Sequence, residues 1–247
     1  MNRYETFYQL HHKPNPLVIG NAWNVKSAQL IEQSGYEAIG TSSGAIAASM
    51  GYEDGEKIPF NELLYLVKRI AACTSIPLTV DVERGYTDDL KELTDNIQKL
   101  IDAGVVGINI EDVQGEELYL RKLDAIKNYL ERKEQQLFLN ARTDGFLQKL
   151  NSPLELAIKR AKQYLNAGAD GLFVTGVSDT EIIREIASST TLPLNVVGSP
   201  KLSSFKILSD CGVKRISMAG LLFRATYNQL GKLCSEIKAQ QSLEPLF

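Results

Sequence analysis

The stretch Leu17-Val-Ile-Gly-Asn-Ala-Trp-Asn24 shows the pattern that decides the fold, because a short apolar run passes directly into a polar turn. Unbroken apolar runs of this length are typical of parallel strands that are buried on both faces. Seven similar runs follow along the chain, at Ala38–Thr41, Leu78–Val82, Val105–Ile110, Leu137–Ala141, Gly171–Thr175, Leu194–Val197 and Arg215–Met218. We therefore predict eight parallel strands, beginning with Leu17–Gly20.

The segments between these runs carry helical periodicity and helix end signals. A glycine stands at Gly35, Gly104, Gly168 and Gly212, where a helix can close with a left-handed residue. Pro153 is suited to a first helical position. The predicted helices are Val25–Gln33, Phe60–Cys73, Leu90–Asp102, Leu118–Lys133, Pro153–Ala167, Thr180–Ser188, Leu202–Cys211 and Leu221–Gln240.

Alternating strands and helices leave two main architectures, the closed barrel and the doubly wound open sheet. The open sheet would be favoured by a glycine-rich phosphate turn after the first strand, but Asn21–Asn24 contains no G-x-G-x-x-G pattern. Eight strand–helix units are the number that forms a closed (β/α)8 barrel. We predict an α/β fold of the (β/α)8 TIM-barrel type, formed by residues 1–247 as a single domain. The segment Leu221–Gln240 is expected either to close the barrel or to pack on a partner subunit.

Composition narrows the possible functions. A net charge of -3 without a basic stripe argues against nucleic-acid binding. No apolar run approaches the roughly 20 residues of a membrane span, and the polar start of the chain is unlike a signal peptide. Cys73, Cys211 and Cys234 share no metal or redox spacing, which fits a reducing cytoplasm, and we expect them to be packing residues.

The only histidines, His11 and His12, precede the first strand, and we expect both to be exposed on an N-terminal helix. This position removes the most common general base and any serine–histidine nucleophile pair from the predicted site.

Acidic residues stand at the ends of three successive strands, where a parallel barrel has its active face. They are Asp81 and Glu83, Glu111 and Asp112, and Asp144. Carboxylates this close repel one another unless a cation or protons intervene. Oxygen ligands without histidine or cysteine suit Mg2+ or Mn2+, so we predict a divalent-cation site. The alternative is that single members cap helices or lie on the surface.

Other polar residues at these strand ends are candidate ligands of a small carboxylate substrate. The Arg142 guanidinium can hold a carboxylate or phosphonate in two-pronged fashion and stabilise developing charge, or it can pair internally with one of the acids. The Ser42-Ser43-Gly44 turn offers hydroxyl and backbone N–H groups to an anion. The predicted substrate-binding set is Trp23, Thr41, Ser42, Ser43, Gly44, Asn140 and Arg142.

Four ordered blocks at these strand ends resemble the isocitrate lyase and phosphoenolpyruvate mutase superfamily: Gly40–Asp54, Asp81–Tyr86, Gly107–Asp112 and Asn140–Asp144. The resemblance covers nearly the whole chain. It implies a (β/α)8 barrel, usually a homo-oligomer (here a dimer or tetramer) with a helix exchanged between subunits. It also implies a Mg2+ site and chemistry on 2-oxo acids through a pyruvate enolate or phosphoenolpyruvate.

The resemblance also implies roles for single residues. Asp81 matches the direct metal ligand, and Glu83 and Glu111 match the acids that hold metal-bound water. Matching substrate and catalytic positions are the carboxylate loop at Ser43 and Gly44, the active-site acid Asp54 and the substrate-binding Arg142.

The chain departs from this superfamily at two places. Members usually have aspartate where Glu83 stands. The loop after the fourth strand, which begins at Glu111, is short and contains neither the Lys-Lys/Arg-Cys-Gly segment of the lyases nor the Lys-x-x-Asn segment of the mutases. Arg121 and Lys122 are basic, but we assign them to the following helix. These departures argue against the known isocitrate lyase, methylisocitrate lyase and mutase reactions.

The leading hypothesis is an enzyme, a Mg2+-dependent carbon–carbon lyase or decarboxylase that acts on a small 2-oxo or 2-hydroxy dicarboxylate. Arg142 and Asp54 are its predicted catalytic residues, and Tyr86, Glu83 or a metal-bound water would supply the acid or base. One alternative is phosphorus–carbon chemistry of the mutase or phosphonate hydrolase type. Another is a barrel that binds a metabolite without turnover.

Overall fold

The computed structural model describes residues 2–202 and 204–247 and contains a closed barrel of eight parallel strands. Each strand pairs with the next in chain order, and the eighth pairs with the first. The TIM-barrel prediction is therefore confirmed. The strands are β1 Leu17–Ala22, β2 Ile39–Thr41, β3 Leu78–Asp81, β4 Gly107–Glu111, β5 Phe138–Thr143, β6 Gly171–Val174, β7 Leu194–Val197 and β8 Val213–Ser217.

Helices alternate with these strands and cover the outside of the barrel. They are α1 Arg3–Leu10, α2 Val25–Gln33, α3 Ser43–Met50, α4 Phe60–Ala72, α5 Leu90–Asp102, α6 Glu116–Arg132, α7 Pro153–Asn166, α8 Thr180–Ser188, α9 Phe205–Asp210 and α10 Leu221–Gln240, with a short 3-10 turn at Glu244–Leu246. Most predicted boundaries agree to within two residues. The predicted helix Leu202–Cys211 begins only at Phe205, and its residue Ser203 lies outside the described residues.

The predicted turn at Ser42–Gly44 is wrong, because these residues begin helix α3. Ser42 is the N-cap residue, and its side chain accepts a hydrogen bond from the backbone N–H of Ala45. The helix is made largely of small apolar residues and has little amphipathic character, so it lacks the periodicity that marks a surface helix. Its start lies directly at the carboxyl end of β2.

Helix α1 lies across the amino-terminal end of the barrel. Phe7 is fully buried and packs edge-on against Phe138, with ring centroids 5.5 Å apart. The expectation that His11 is exposed is wrong: its ring stacks on Phe138 at 4.1 Å, and its Nδ1 lies 2.8 Å from the Phe7 carbonyl oxygen. His12 is exposed, as expected. Both histidines are distant in the fold from the carboxyl ends of the strands.

The barrel interior contains a polar layer beneath the carboxyl ends. Asn109, Asn140 and Asn195 join there through side-chain hydrogen bonds of 2.8 and 3.0 Å from the Asn140 amide. Arg215 on β8 is also buried in this layer, and its Nη2 donates to Asn109 Oδ1 at 3.1 Å. This layer forms the floor under the loops that follow the strands.

Helix α10 extends from the end of β8 and contains no buried residue. Its first turns contact the barrel where Phe223 packs edge-on against Trp23, with ring centroids 5.4 Å apart. Cys211 is buried, in agreement with a packing role, and Cys73 is half-buried, whereas Cys234 on α10 is exposed. Within the two described ranges, no helix combines the length and apolar character needed to cross a bilayer.

Candidate active site

A cavity of about 670 Å3 opens at the carboxyl ends of the strands. Residues from every strand end take part in its wall. On the side of β1 to β5 the polar lining residues are Asn21, Thr41, Ser42, Ser43, Tyr52, Asp54, Asp81, Asn109 and Arg142, together with Gly44. A volume of this size is in the range of sites for small molecules.

Asp81 ends β3 on the cavity floor and is held from three directions. Its backbone N–H donates to Thr41 Oγ1 at 2.9 Å, and the Ser43 hydroxyl donates to its Oδ2 at 3.2 Å. The N–H of Glu83 donates to its Oδ1 at 3.3 Å. Burial raises the pKa of the Asp81 carboxyl, while the nearby Arg142 charge acts in the opposite direction. The carboxylate is therefore fixed and faces the cavity.

Glu83 and Tyr86 follow β3 in a strained loop, with left-handed φ values of 50° and 64°. Glu56 stabilises this conformation, because its carboxylate accepts the backbone N–H groups of Arg84 at 2.9 Å and Tyr86 at 2.7 Å. Glu83 Oε1 is buried and has no hydrogen-bond partner among the described residues. Burial, followed by the charge of Asp81, raises the pKa of Glu83 to about 7.

Tyr86 lies beside Glu83 with its hydroxyl buried and without a hydrogen-bond partner among the residues described. Burial, followed by the charge of Glu83, raises the pKa of Tyr86 well above its usual range. The phenol consequently stays protonated at neutral pH. It is able to donate a proton or hydrogen bond but not to act as a base.

Arg142 on β5 lies among the acids. The register pairs it with Glu111 on β4, and its Nη1 lies 2.7 Å from Glu111 Oε2 and 3.8 Å from Asp81 Oδ2. Its Nε and Nη2 donate to both oxygens of Asp144 at 2.7 and 2.8 Å. Burial raises the pKa of Glu111 to about 8, although Arg142 opposes this shift. The guanidinium thus makes the internal ion pairs that the sequence left as an alternative, and it also lines the cavity.

The other two acids at the strand ends, Asp112 and Asp144, have structural roles. Asp112 is buried, forms an ion pair with Arg160 at 2.8 Å and accepts a short hydrogen bond from Tyr164. Asp144 accepts from Thr175 in addition to Arg142. Because their oxygens are satisfied by protein donors, these two carboxylates orient the strand ends and Arg142.

Asp54 lies beyond α3, on an exposed loop that returns to the cavity. A Cβ atom added to Gly44 would lie 2.9 Å from Asp54 Oδ2, so the carboxylate rests directly against the glycine. Among the first N–H groups of α3, that of Ala45 is capped by the Ser42 side chain, whereas those of Ser43 and Gly44 have no partner within the helix.

The predicted site residues divide into two groups. Thr41, Ser42, Ser43, Gly44, Asp54, Asp81 and Arg142 line the cavity, whereas Trp23, Glu83, Tyr86, Glu111 and Asn140 lie behind its wall. The Asn140 amide is used in the buried polar layer. Trp23 packs against α10.

Sequence reasoning missed the half of the cavity that β6 to β8 and α10 supply. Its lining residues there include Phe173, Thr175, Val177, Ser178, Val197, Ser199, Ser217, Phe223 and Arg224. The polar residues that follow the sixth and seventh apolar runs were the available signal. Asn21 also lines the cavity, and its Oδ1 accepts the N–H groups of Met218 and Ala219 at 2.8 and 3.0 Å.

The residues fit a divalent cation held largely through water. Within residues 2–202 and 204–247, no three histidine, cysteine or acidic side chains converge closely enough to form a complete ligand set. Asp81 alone of the three predicted ligands reaches the cavity, and the unpartnered Glu83 Oε1 lies behind it. Mg2+ commonly keeps several waters and takes one or two carboxylates from the protein, which agrees with this arrangement.

A (β/α)8 barrel with acids, an arginine and the start of a helix at its carboxyl face has the layout of an enzyme active site. The chain belongs to the phosphoenolpyruvate phosphomutase family, because residues 7–238 match the sequence profile of that family. The fold, the four motif blocks and this match agree, so the superfamily resemblance is confirmed.

Proteins similar in sequence to this chain include a protein of unassigned function and a decarboxylase. A Mycobacterium tuberculosis protein of unassigned function is 33% identical over 221 residues, which cover 89% of this chain and 84% of the relative. Oxaloacetate decarboxylase from Pseudomonas fluorescens is 30% identical over 246 residues, with coverage of 91% and 82%.

Solved structures share the fold. A Burkholderia cenocepacia protein, provisionally assigned as a phosphonomutase, has a TM-score of 0.89 and 32% identity, with coverage of 94% of this chain and 99% of that one. A phosphonopyruvate hydrolase in complex with oxalate and Mg2+ has a TM-score of 0.87, with coverage of 98% and 89%. Its 21% identity extends the likeness to the fold alone.

Proposed function

We propose that this protein is a Mg2+-dependent carbon–carbon lyase or decarboxylase that acts on a 2-oxo or 2-hydroxy dicarboxylate. One observation carries the proposal: Asp81, Ser43 and Arg142, from three different strand ends, meet on the floor of one cavity. This set combines a fixed carboxylate, a hydroxyl beside a helix start and a guanidinium. The 30% identity to an oxaloacetate decarboxylase supports the same reaction class.

In this proposal Asp81 would hold the cation, and Glu83 and Glu111 would hold water beside it. Once bound, Mg2+ supplies Lewis acidity, which draws electron density from the 2-oxo group and favours cleavage of the neighbouring carbon–carbon bond. Burial raises the pKa values of these two glutamates to about 7 and about 8. A positive charge nearby would lower both pKa values and so favour the ionised carboxylates.

The substrate carboxylate would bind at the start of α3. The backbone N–H groups of Ser43 and Gly44, which have no partner within the helix, would be the donors, and the helix dipole favours an anion at this end. Arg142 faces this position across Asp81 and would contact the same carboxylate or the 2-oxo oxygen. Asp144 keeps the guanidinium oriented while Nη1 exchanges its acidic partners for substrate.

The proton needed after bond cleavage must come from a group other than the lyase cysteine. We propose Tyr86 as the donor, because its buried hydroxyl stays protonated and lies beside Glu83. The phenolate left by this transfer would be strongly basic and would regain its proton from water, while Glu83 stays ionised beside the cation. Because neither side chain lines the cavity, the transfer would pass through water at the cavity floor.

A second candidate is phosphorus–carbon chemistry. A phosphonate would find the same helix start and guanidinium, both of which bind tetrahedral anions well. The family match and the 32% identity to the Burkholderia protein favour this alternative over unrelated reactions.

A substrate panel distinguishes these functions. Purified protein with Mg2+ is incubated with oxaloacetate, malate-type substrates of four to seven carbons, phosphonopyruvate and phosphoenolpyruvate. Release of pyruvate or oxalate supports the lyase, and release of phosphate or phosphorus–carbon interconversion supports the second candidate. No turnover together with oxalate binding, measured by calorimetry, would indicate a binding protein and contradict both.

The site assignment has its own test. Asp81→Ala and Arg142→Ala should each abolish measurable oxalate binding in Mg2+, whereas the exposed control Asp95→Ala should bind oxalate like the parent protein. Unchanged oxalate affinity in either site variant would show that the site lies elsewhere.

We also propose that the chain forms a homo-oligomer, a dimer or a tetramer, in which α10 packs on a partner subunit. Support comes from the 20-residue helix without a buried residue, on which Tyr227 and Leu230 are 43% and 50% exposed. Leu230→Asp should shift the mass in light scattering to that of a monomer. The control Leu165→Asp, on an exposed position of α7, should leave the mass unchanged.

A further inference from the structure

We infer that Asn109 donates a hydrogen bond to a ligand oxygen at the cavity floor, and that the buried Arg215 is a positioning residue that orients and polarises the Asn109 amide. The inference rests on the proposed function, in which an anionic 2-oxo or 2-hydroxy acid binds beside Asp81. It adds one ligand contact and one positioning residue, neither of which belongs to the predicted site residues.

Asn109 lies next to the proposed cation ligand. On β4 it stands opposite Asp81 of β3 in the strand register. It is 4% exposed and lines the cavity. A polar group in this position is shielded from bulk solvent but open to a ligand in the cavity.

The hydrogen bonds of Asn109 decide which end of its amide is left for the cavity. Its Oδ1 accepts from Asn140 Nδ2 at 2.8 Å and from Arg215 Nη2 at 3.1 Å, both in the buried polar layer. Because a guanidinium can only donate, the oxygen and nitrogen of the Asn109 amide have a defined orientation. The NH2 group donates to no residue that the structure describes, so this donor is free for a ligand oxygen.

Asn140 is itself fixed in this layer. Its amide nitrogen also donates to Asn195 Oδ1 at 3.0 Å. Gly171 stands opposite Asn140 in the β5–β6 register, and a Cβ atom on this glycine would lie 2.8 Å from Asn140 Oδ1. The glycine therefore leaves room for the amide, and Asn109 Oδ1 accepts from a donor that is held in place.

Arg215 gives the Asn109 amide more than an orientation. Its guanidinium is fully buried and lies 5.9 Å from the centre of the Phe7 ring, and its Nε and Nη1 have no partner among the described residues. A cation that donates to an amide oxygen polarises the amide and makes its N–H groups stronger donors, above all in a low-dielectric interior. Asn109 would therefore bind an anionic oxygen more strongly than an isolated asparagine.

The ligand oxygen that fits this donor is one that carries negative charge. A donor that is fixed before the ligand arrives stabilises charge on an oxygen without rearrangement. The 2-oxo and carboxylate oxygens of the proposed substrate class have this character. Oxalate presents the same oxygens in a stable molecule and is the probe for the test.

Calorimetry of oxalate binding in Mg2+ tests both residues. The variants are Asn109→Ala, Asn109→Asp, Arg215→Met, Arg215→Lys and the double variant Asn109→Ala, Arg215→Met. Asn96→Ala and Asn96→Asp are the matched controls. Asn96 on α5 is 5% exposed and its Oδ1 also accepts from a cation, Lys99 Nζ at 3.1 Å, but it does not line the cavity. Unfolding in urea separates effects on stability from effects on binding.

Asn109→Ala should weaken oxalate binding by about 10-fold or more, since a hydrogen bond to a charged group is lost. Asn109→Asp keeps the two acceptor contacts and gives Arg215 an acidic partner. It should therefore resist urea at least as well as the parent protein and yet bind oxalate no better than Asn109→Ala. Both Asn96 variants should bind oxalate within about twofold of the parent protein.

Arg215→Met should weaken oxalate binding by about threefold or more, because the Asn109 amide loses its polarising cation, and Arg215→Lys should restore part of the affinity. In the Asn109→Ala background, Arg215→Met should cost less than about twofold further, because its effect passes through the amide. An equal loss in both backgrounds would show that Arg215 acts in another way and would overturn its positioning role.

The two levels of the proposal fail differently. Oxalate binding that depends on Asp81 and Arg142 but not on Asn109 would overturn the ligand contact and leave the proposed function standing. A parent protein that binds no oxalate in Mg2+ would overturn the proposed function, and the inference with it.

Discussion

Arg142 Nη1 lies 2.7 Å from Glu111 Oε2, and the β4–β5 register places these two residues directly opposite each other. The same nitrogen is 3.8 Å from Asp81 Oδ2. The arginine therefore balances the charge of acids on two neighbouring strands, and a substrate carboxylate must share or take over these contacts. This relationship couples the stability of the site to its ability to bind an anion.

Arg142→Ala should lower both stability and binding. It leaves the nearly buried carboxylates of Glu111 and Asp144 without their cation, which typically costs about 3 kcal/mol or more. The free energy of unfolding measured with urea should fall by this amount, and oxalate binding should be lost. Arg142→Lys should recover part of the stability but little of the binding, because an ammonium cannot reproduce the two-pronged contact with Asp144. Full oxalate affinity in Arg142→Lys would contradict this role.

The Glu83→Gln variant should become more stable than the parent protein as the pH rises. Folding raises the Glu83 pKa from 4.5 to about 7. The parent protein therefore gains stability from the neutral carboxyl below pH 4.5 and loses it as the pH rises toward 7. Glutamine avoids this loss, so in EDTA the variant should gain about 2 kcal/mol relative to the parent between pH 5 and pH 8. The exposed Glu117→Gln is the control, and a parallel pH profile for both variants would refute the assignment.

Mg2+ affinity should increase with pH across the same range. Glu83 and Glu111, with pKa values of about 7 and about 8, must lose their protons before they can hold the water of a cation. Calorimetric titration should show weaker Mg2+ binding at pH 6 than at pH 8.5, with proton release on binding. The double variant Glu83→Gln, Glu111→Gln should lose this proton release, and an affinity independent of pH in the parent would contradict the proposal.

Gly44→Ala should separate binding from stability. The added methyl group would lie 2.9 Å from Asp54 Oδ2, and this exposed side chain is free to move aside. Alanine is favoured over glycine inside a helix by up to about 1 kcal/mol, so thermal stability should be unchanged or slightly higher. Oxalate affinity should fall, because the methyl group covers the N–H groups at the start of α3. Undiminished affinity would place the carboxylate elsewhere.

Lys122→Met should loosen the loops beside the site. The buried Lys122 ammonium donates to the Arg84 carbonyl oxygen at 2.8 Å, to Gln114 at 2.9 Å and to Asp88 at 3.1 Å, and so connects the loops after β3 and β4. Its removal should cost about 1–3 kcal/mol. Hydrogen exchange should become faster at residues 84–88 and 112–115, whereas the exposed control Lys91→Met should leave these segments unchanged.

The local sequence was sufficient to predict the barrel fold and the position of the acidic residues at the strand ends. Apolar runs that end in polar residues located all eight strands, because burial on both faces imposes one composition on each strand. Asp81, Glu111 and Arg142 could be placed at the active face for the same reason, since the position at a strand end follows from where the run stops. The superfamily motifs added the expectation of Mg2+ to this reading.

The tertiary structure decided which side chains share a space. Asn140 stands in the predicted set but faces the barrel interior, because the direction of a strand residue depends on register and closure. Helix α3 has no amphipathic pattern, so its sequence resembled a turn. Arg224 on α10 and Ser199 on the loop after β7 are 25 positions apart, and only closure of the barrel brings them to one cavity. Contacts between distant segments depend on how strands and helices pack, and no local pattern of residues encodes them.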